Sequence, residues 1–194
     1  LGNADNTGGF FNFWPTSLWD AAQYMYSQDY VAKDAQGNGQ IAVSGHSMGG
    51  FSSEMAIYLD EQNYAAAGYR IIKAGLSMGA DYSWTSYLGL DEEAAVATFG
   101  GRTIGKICGQ YDEFFFAADE PPTKSGTVYH KDYVATTAGK TLLEQEAPQA
   151  DTWYTGSDGG QRIIYQPSEI HPWNHFSTAS TKDAIEFYAT AFAD

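Results

Sequence analysis

The sequence predicts an α/β fold, a mostly parallel sheet with helices on both faces. Three observations carry that prediction. Strand-like and helix-like segments alternate along most of the chain. The apolar run Ile41 to Val43 enters a glycine-flanked turn and then a helical pattern from Phe51 to Leu59. Further short apolar runs follow at Ile71-Ile72 and Ile104 to Cys108, each of a length that suits a buried strand.

The elements follow in order. Residues 1–15 are loop-like, with Asn, Asp and Gly clusters and a proline at 15. Ser17 followed by Asp20 reads as a capping box for a helix from Leu18 to about Ala32. Gly37-Asn38-Gly39 turns the chain into a strand over 40–44, and a helix over about 49–62 follows the glycine-flanked turn. Tyr69 to Ser77 reads as the next strand, residues 91–98 as a short acidic helix, and Thr103 to Cys108 as another strand. Lys131 to about Glu146 looks helical. Thr152 to Gln166 reads as a hairpin around Ser157-Asp158-Gly159-Gly160. A last helix, with Ser180 and Asp183 as its capping box, runs to about Phe192.

Composition narrows the function. The 194 residues suffice for one domain, 1–194, with a real core. A net charge of −14, from 10 basic against 24 acidic residues, argues against nucleic acid and anionic membrane surfaces as partners. No apolar run approaches the ~18 residues of a spanning helix. Cys108, the single cysteine, lies in an apolar run and reads as a buried strand residue rather than a nucleophile. Low Lys with plentiful Tyr, Thr, Gly and Asn suits a secreted or cell-surface enzyme.

The chemistry concentrates in Gly45-His46-Ser47-Met48-Gly49. A strand, a tight turn and a helix put one serine at the apex, at the carboxyl end of a strand. Side chains at 45 and 49 would crowd that turn, which explains the glycines. The helix behind Ser47 presents free N–H groups, and that of Met48 is placed to stabilise an oxyanion. His46 points away from Ser47 and packs behind the turn. Such a serine attacks an ester, thioester or amide carbonyl.

A nucleophilic serine needs a base, and the base an orienting acid. His171 and His175 lie in a loop between a strand and the final helix, within Ile170-His171-Pro172-Trp173-Asn174-His175-Phe176-Ser177. Either serves as the base. His171 lies nearer the preceding strand, and Pro172 stiffens the loop after it. His130 precedes a helix and reads as an exposed flank. Asp112 directly follows a strand that lies between serine and histidine in sequence, and Asp81 is its rival after the preceding strand. Glu113, next to Asp112, points elsewhere. Pro172 opposes a helix that would carry both histidines to a zinc ion, so no metal or cofactor is expected. Trp84, Tyr87, Phe114, Phe115 and Phe116 follow strand ends, where they serve either as an acyl pocket or as ordinary core.

The order Ser47, Asp112, His171 or His175, with GHSMGG, GQYDE and HPWNHFS around them, resembles the α/β-hydrolase superfamily, most closely its bacterial lipase- and esterase-like members. The resemblance spans the whole chain but only the carboxyl-terminal part of that fold. It implies a serine hydrolase acting on carboxylic esters or other small acyl substrates. It also implies that the amino-terminal strands and the second oxyanion donor are missing or supplied by another segment. The serine strand is then an exposed edge, open to pairing or self-association. A non-catalytic binding or assembly domain and an acyltransferase are the competing functions.

Overall fold

The computed structural model describes residues 15–80, 89–113 and 132–193. Helix α1 (Ser17–Tyr26) is shorter than the capping pattern suggests. Thr16 occupies its N-cap and its side chain makes no capping bond, so Ser17 and Asp20 form no capping box there. It ends early because Ser27 Oγ and Gln28 Nε2 both donate to the carbonyl of Tyr24, at 2.6 and 3.0 Å. Strand β1 (Ile41–His46) follows, and Ser47 separates it from helix α2 (Met48–Ala67). This helix runs beyond the expected residue 62 and stops at Gly68, whose φ of 78° is easy only for glycine.

Strand β2 (Ile72–Met78), helix α3 (Glu92–Ala97, capped by Asp91) and strand β3 (Thr103–Ile107) come next. The helix expected over 131–146 is instead a 3₁₀ turn, Tyr133–Ala135, and a short helix α4, Thr137–Leu143. Thr136 divides them: its backbone is extended, and its side chain caps α4 by accepting from the N–H of Gly139 at 3.1 Å. The hairpin forms as β4 (Tyr154–Thr155) and β5 (Gln161–Tyr165). Helix α5 (Thr178–Ala191) is capped by Ser177, which accepts from the N–H of Ser180. Ser180 therefore lies inside the helix and is not its cap.

Among the described residues five strands form one sheet, ordered β1-β2-β3-β5-β4. β1, β2, β3 and β5 are parallel, and only β4 runs antiparallel, against β5. β1 lies at one end, with β2 as its partner among the described residues. Helices cover both faces. Ala56, Ile57, Phe99, Leu142 and Leu143 join Val43, Ile104 and Ile164 in one buried cluster. Phe187 and Ala191 of α5 join Ala74, Leu76, Ile107, Ile163 and Tyr165 in another, on the opposite face. Burying side chains of this size contributes roughly 1.5–3 kcal/mol each, which fixes the sheet between its two helical layers.

Charged groups are also buried, and each is paired. Asp60 of α2 accepts the N–H groups of Ile71 and Ile72, both at 2.9 Å, and the guanidinium of Arg102 at 2.7 Å. Lys106 of β3 meets Glu54 of α2, Ser77 of β2 and the carbonyl of Ala80. These pairs join α2 to the strands beneath it. Among the described residues no helix is long and apolar enough to cross a membrane.

The register places the site. His46 pairs with Met78, Met78 with Ile107, and Ile107 with Tyr165, so four parallel strands end in one row. The segments leaving that row carry Ser47, Gly79, Asp112 and His171. Parallel α/β sheets gather their ligands at this edge.

Candidate active site

Ser47 sits in the sharp turn between β1 and α2, with φ 58° and ψ −120°. This is a strained backbone for a residue with a side chain. Two bonds hold it. The N–H of Ser47 donates to the carbonyl of Met78 at 2.8 Å, and the Ser47 carbonyl accepts from Gly50 and Phe51 at 2.8 and 3.2 Å. The glycines work differently from the sequence expectation. A Cβ on Gly45 would strike the backbone of Gly49, and one on Gly50 would lie 2.6 Å from Ala80 Cβ. A Cβ on Gly49 itself would meet nothing. Gly45 and Gly50, not Gly49, are the positions that must stay small. The N–H of Met48 lies in the first turn of α2, where helical amides have no partner within the helix. Its side chain is exposed.

Asp112 is fully buried beyond the end of β3. Its Oδ2 lies 2.8 Å from His171 Nδ1 and accepts from Asn174 Nδ2, also at 2.8 Å. The carboxylate only accepts, so the hydrogen of a neutral His171 lies on Nδ1, and Nε2 is left as the basic nitrogen. Glu113 does not point elsewhere: its Oε2 accepts the backbone N–H of His171 at 2.9 Å. Consecutive carboxylates thus hold the ring and the backbone of one histidine.

The histidine loop is built to keep that ring in place. Pro172 lies inside a 3₁₀ turn, His171–Trp173. Gly79, at φ 54°, turns the chain after β2 directly under the ring. A Cβ there would stand 3.1 Å from His171 Nδ1, His171 Cε1 and Asn174 Nδ2.

The structure brings His171, not His175, to Asp112. The His175 ring packs instead on His46 and on Phe176, with centroids 4.2 and 4.7 Å away. His46 is more than packing behind the turn. Its Nε2 lies 2.8 Å from the His171 carbonyl oxygen, and its ring touches that of His171. Burial, with the His171 and His175 imidazoles alongside, holds the His46 imidazole below the usual histidine range. The bond to the His171 carbonyl and the charge of Asp112 pull the other way. Cys108 is buried just past β3, as its surroundings in sequence suggest. Asp81, His130, Trp84, Tyr87, Phe114, Phe115 and Phe116 lie outside the described residues. Among the described residues no group of three or more His, Cys, Asp or Glu side chains could hold a metal ion.

The fold is α/β-hydrolase-like. Two solved structures of a glucuronoyl esterase from Solibacter usitatus superpose on it, with TM-scores of 0.53 and 0.50. Each is 13% identical to this chain; they cover 93% and 100% of it. The chain spans about half the length of these relatives, 48% and 53%. At this identity the likeness bears on the fold alone. No protein-family model matches the chain. No curated protein matches it either.

Sequence reasoning missed Asn174, Gly79 and the role of Glu113. Asn174 stands inside the HPWNHFS run, but its bond to Asp112 joins positions 62 residues apart. The adjacent acids in Gln110-Tyr111-Asp112-Glu113 were the one visible hint that two carboxylates act on one loop.

Proposed function

We propose that this chain hydrolyses carboxylic esters through an acyl-enzyme on Ser47. The buried Asp112–His171 pair, set at the strand ends beside the strained Ser47 turn, is the observation that carries this reading. In it, Ser47 Oγ attacks the acyl carbon and His171 Nε2 takes the hydroxyl proton. The new oxyanion accepts from the Met48 N–H. The tetrahedral intermediate then collapses, and the C–O bond to the alcohol breaks as His171 returns the proton to that oxygen. Water, deprotonated by His171, releases the acid in the second half. Asp112 stabilises the imidazolium formed in each half.

The borders of the site support an uncharged, partly apolar substrate. Met48, Tyr111, Ile170, Trp173 and Phe176 are all exposed, and each lies close in sequence to Ser47, Asp112 or His171. Scattered exposed apolar residues are ordinary, but a concentration at one site marks a binding surface. Because the structural relatives are named for glucuronoyl esters, a glucuronate methyl ester belongs beside simple aryl esters in the substrate set.

The test is covalent labelling with a fluorophosphonate, which reports an activated serine without a known substrate. Wild-type protein should label once, on Ser47, and hydrolyse a short p-nitrophenyl ester; Ser47→Ala should do neither. Wild-type protein that stays unlabelled and inactive, or Ser47→Ala that retains both properties, would remove Ser47 from the chemistry.

A further inference from the structure

The side chain just before Ser47 reaches across to the loop that holds His171. His46 is the last residue of β1 and pairs in register with Met78 of β2, so its backbone belongs to the sheet. Its Nε2 lies 2.8 Å from the backbone oxygen of His171, 125 positions away in sequence. A carbonyl only accepts, so the hydrogen lies on Nε2 and the neutral ring leaves Nδ1 bare. The same ring touches the His171 imidazole, centroids 4.5 Å apart, and the His175 imidazole at 4.2 Å. The His171 carbonyl also accepts from the Asn174 N–H at 3.2 Å, but that bond lies within the loop and cannot locate the loop against β1.

We infer that His46 is a positioning residue: by donating to the His171 carbonyl, it sets the distance between Ser47 and the His171 ring. The inference rests on the reading that these two residues react together. Its physical basis is the route by which their positions are linked. Ser47 is fixed to the end of β1 by its turn. His171 belongs to a loop that leaves a different strand and is oriented by Asp112 and Glu113, both beyond the end of β3. Neither carboxylate touches β1 through these bonds. The His46 side chain spans the gap directly, from the residue adjoining the serine to the residue carrying the base.

A neutral hydrogen bond of this kind corresponds to roughly a threefold to tenfold effect, and misplacing a reacting group by about 1 Å costs on the order of 10²-fold. Two substitutions separate the bond from the ring. His46→Phe keeps an aromatic ring and deletes the donor. His46→Gln deletes the ring and keeps a side-chain N–H with a reach close to that of Nε2.

In kinetics on a p-nitrophenyl ester, His46→Phe should lower kcat about tenfold to a hundredfold with KM within about twofold. His46→Gln should stay within about threefold of wild type in kcat. A second readout needs no turnover: the proton NMR signal of His171 Nδ1–H, assigned by its loss in Asp112→Asn. It should persist in wild type and His46→Gln, and shift or broaden in His46→Phe. If the phenylalanine variant does not fold, His46→Ala serves the same comparison. Wild-type kcat and an unmoved resonance in His46→Phe would overturn the inference. So would a glutamine variant as impaired as the phenylalanine one, which would assign the effect to ring packing. Wild-type protein that shows the resonance but neither labels nor hydrolyses would discard the proposed reaction, leaving the variants' spectra to judge His46.

Discussion

Gly45 faces the backbone of Gly49 across the turn that carries Ser47, so closely that a methyl group on Gly45 would overlap it. The first turn of α2 is thereby seated on the end of β1. That contact, with the Ser47–Met78 backbone bond, holds a serine at positive φ. The two glycines of the motif are therefore unequal, and the difference can be measured. Gly45→Ala should destabilise by about 2–4 kcal/mol, in the range of strained or overpacked core positions. Gly49→Ala should change stability by less than about 1 kcal/mol and, as a better helix former in α2, in the stabilising direction. Urea titration of both variants checks this, and equal losses would mean that the turn is held some other way.

Asp112→Asn should keep the fold and lose turnover. The amide can no longer accept with full charge from His171 Nδ1 while also accepting from Asn174 Nδ2. An imidazole in the wrong tautomer costs on the order of 10⁴ in kcat in the well-studied serine proteases. Steady-state kinetics with circular dichroism on the same sample separates chemistry from folding. A large loss in Asp81→Asn instead would move the acid to that residue.

The two loop histidines should differ sharply. His171→Ala should match Ser47→Ala in lost activity, since residues that act as a unit do not lose activity additively. His175→Ala removes ring contacts with His46 and Phe176 and should cost about tenfold or less, through loop packing. Single-turnover labelling rates with the fluorophosphonate give the ranking. The reverse order would transfer the base to His175.

Asp183, in α5, supplies a pH-dependent test of stability. Burial, with the carboxylates of Asp151 and Glu186 nearby, pushes its carboxyl up to about 6, against the opposing charge of Lys182. Between an unfolded value near 4 and that folded value, the native state binds more protons. Stability therefore falls as pH rises through this window, and the cost is fully present above it. The group is only half buried, so solvent screening reduces the effect to about 1 kcal/mol. Asp183→Asn should be more stable than wild type by that amount at pH 7, and the advantage should largely vanish at pH 4. Denaturant midpoints at the two pH values measure it; a constant offset would point to packing rather than ionisation.

Much of the architecture was legible because its signals are local. The apolar runs at 41–43, 71–72 and 104–108 each mark a parallel strand, although Ile71 precedes β2 and Cys108 follows β3, and the Asp158-Gly159 turn became the hairpin. Element ends were less legible. Whether Ser27 and Gln28 stop a helix, or Thr136 divides one, depends on which carbonyl or amide a short polar side chain reaches. Composition does not encode that choice.

The candidate site divides in the same way. The sequence by itself determined that a serine would stand at the apex of a strand–turn–helix, because a short apolar run, a glycine two residues before Ser47 and a helical pattern after it lie within one short segment. It also narrowed the partners to an aspartate after a later strand and a histidine before the last helix. It left His171 and His175 as alternatives, since they share one loop. Only the tertiary structure joined Asp112 to His171, seated both against Asn174 and Gly79, and turned His46 and Glu113 onto the same loop. The reason is the register of the sheet. Four parallel strands ending in one row bring together residues between 58 and 125 positions apart, and no local pattern records which of them will meet.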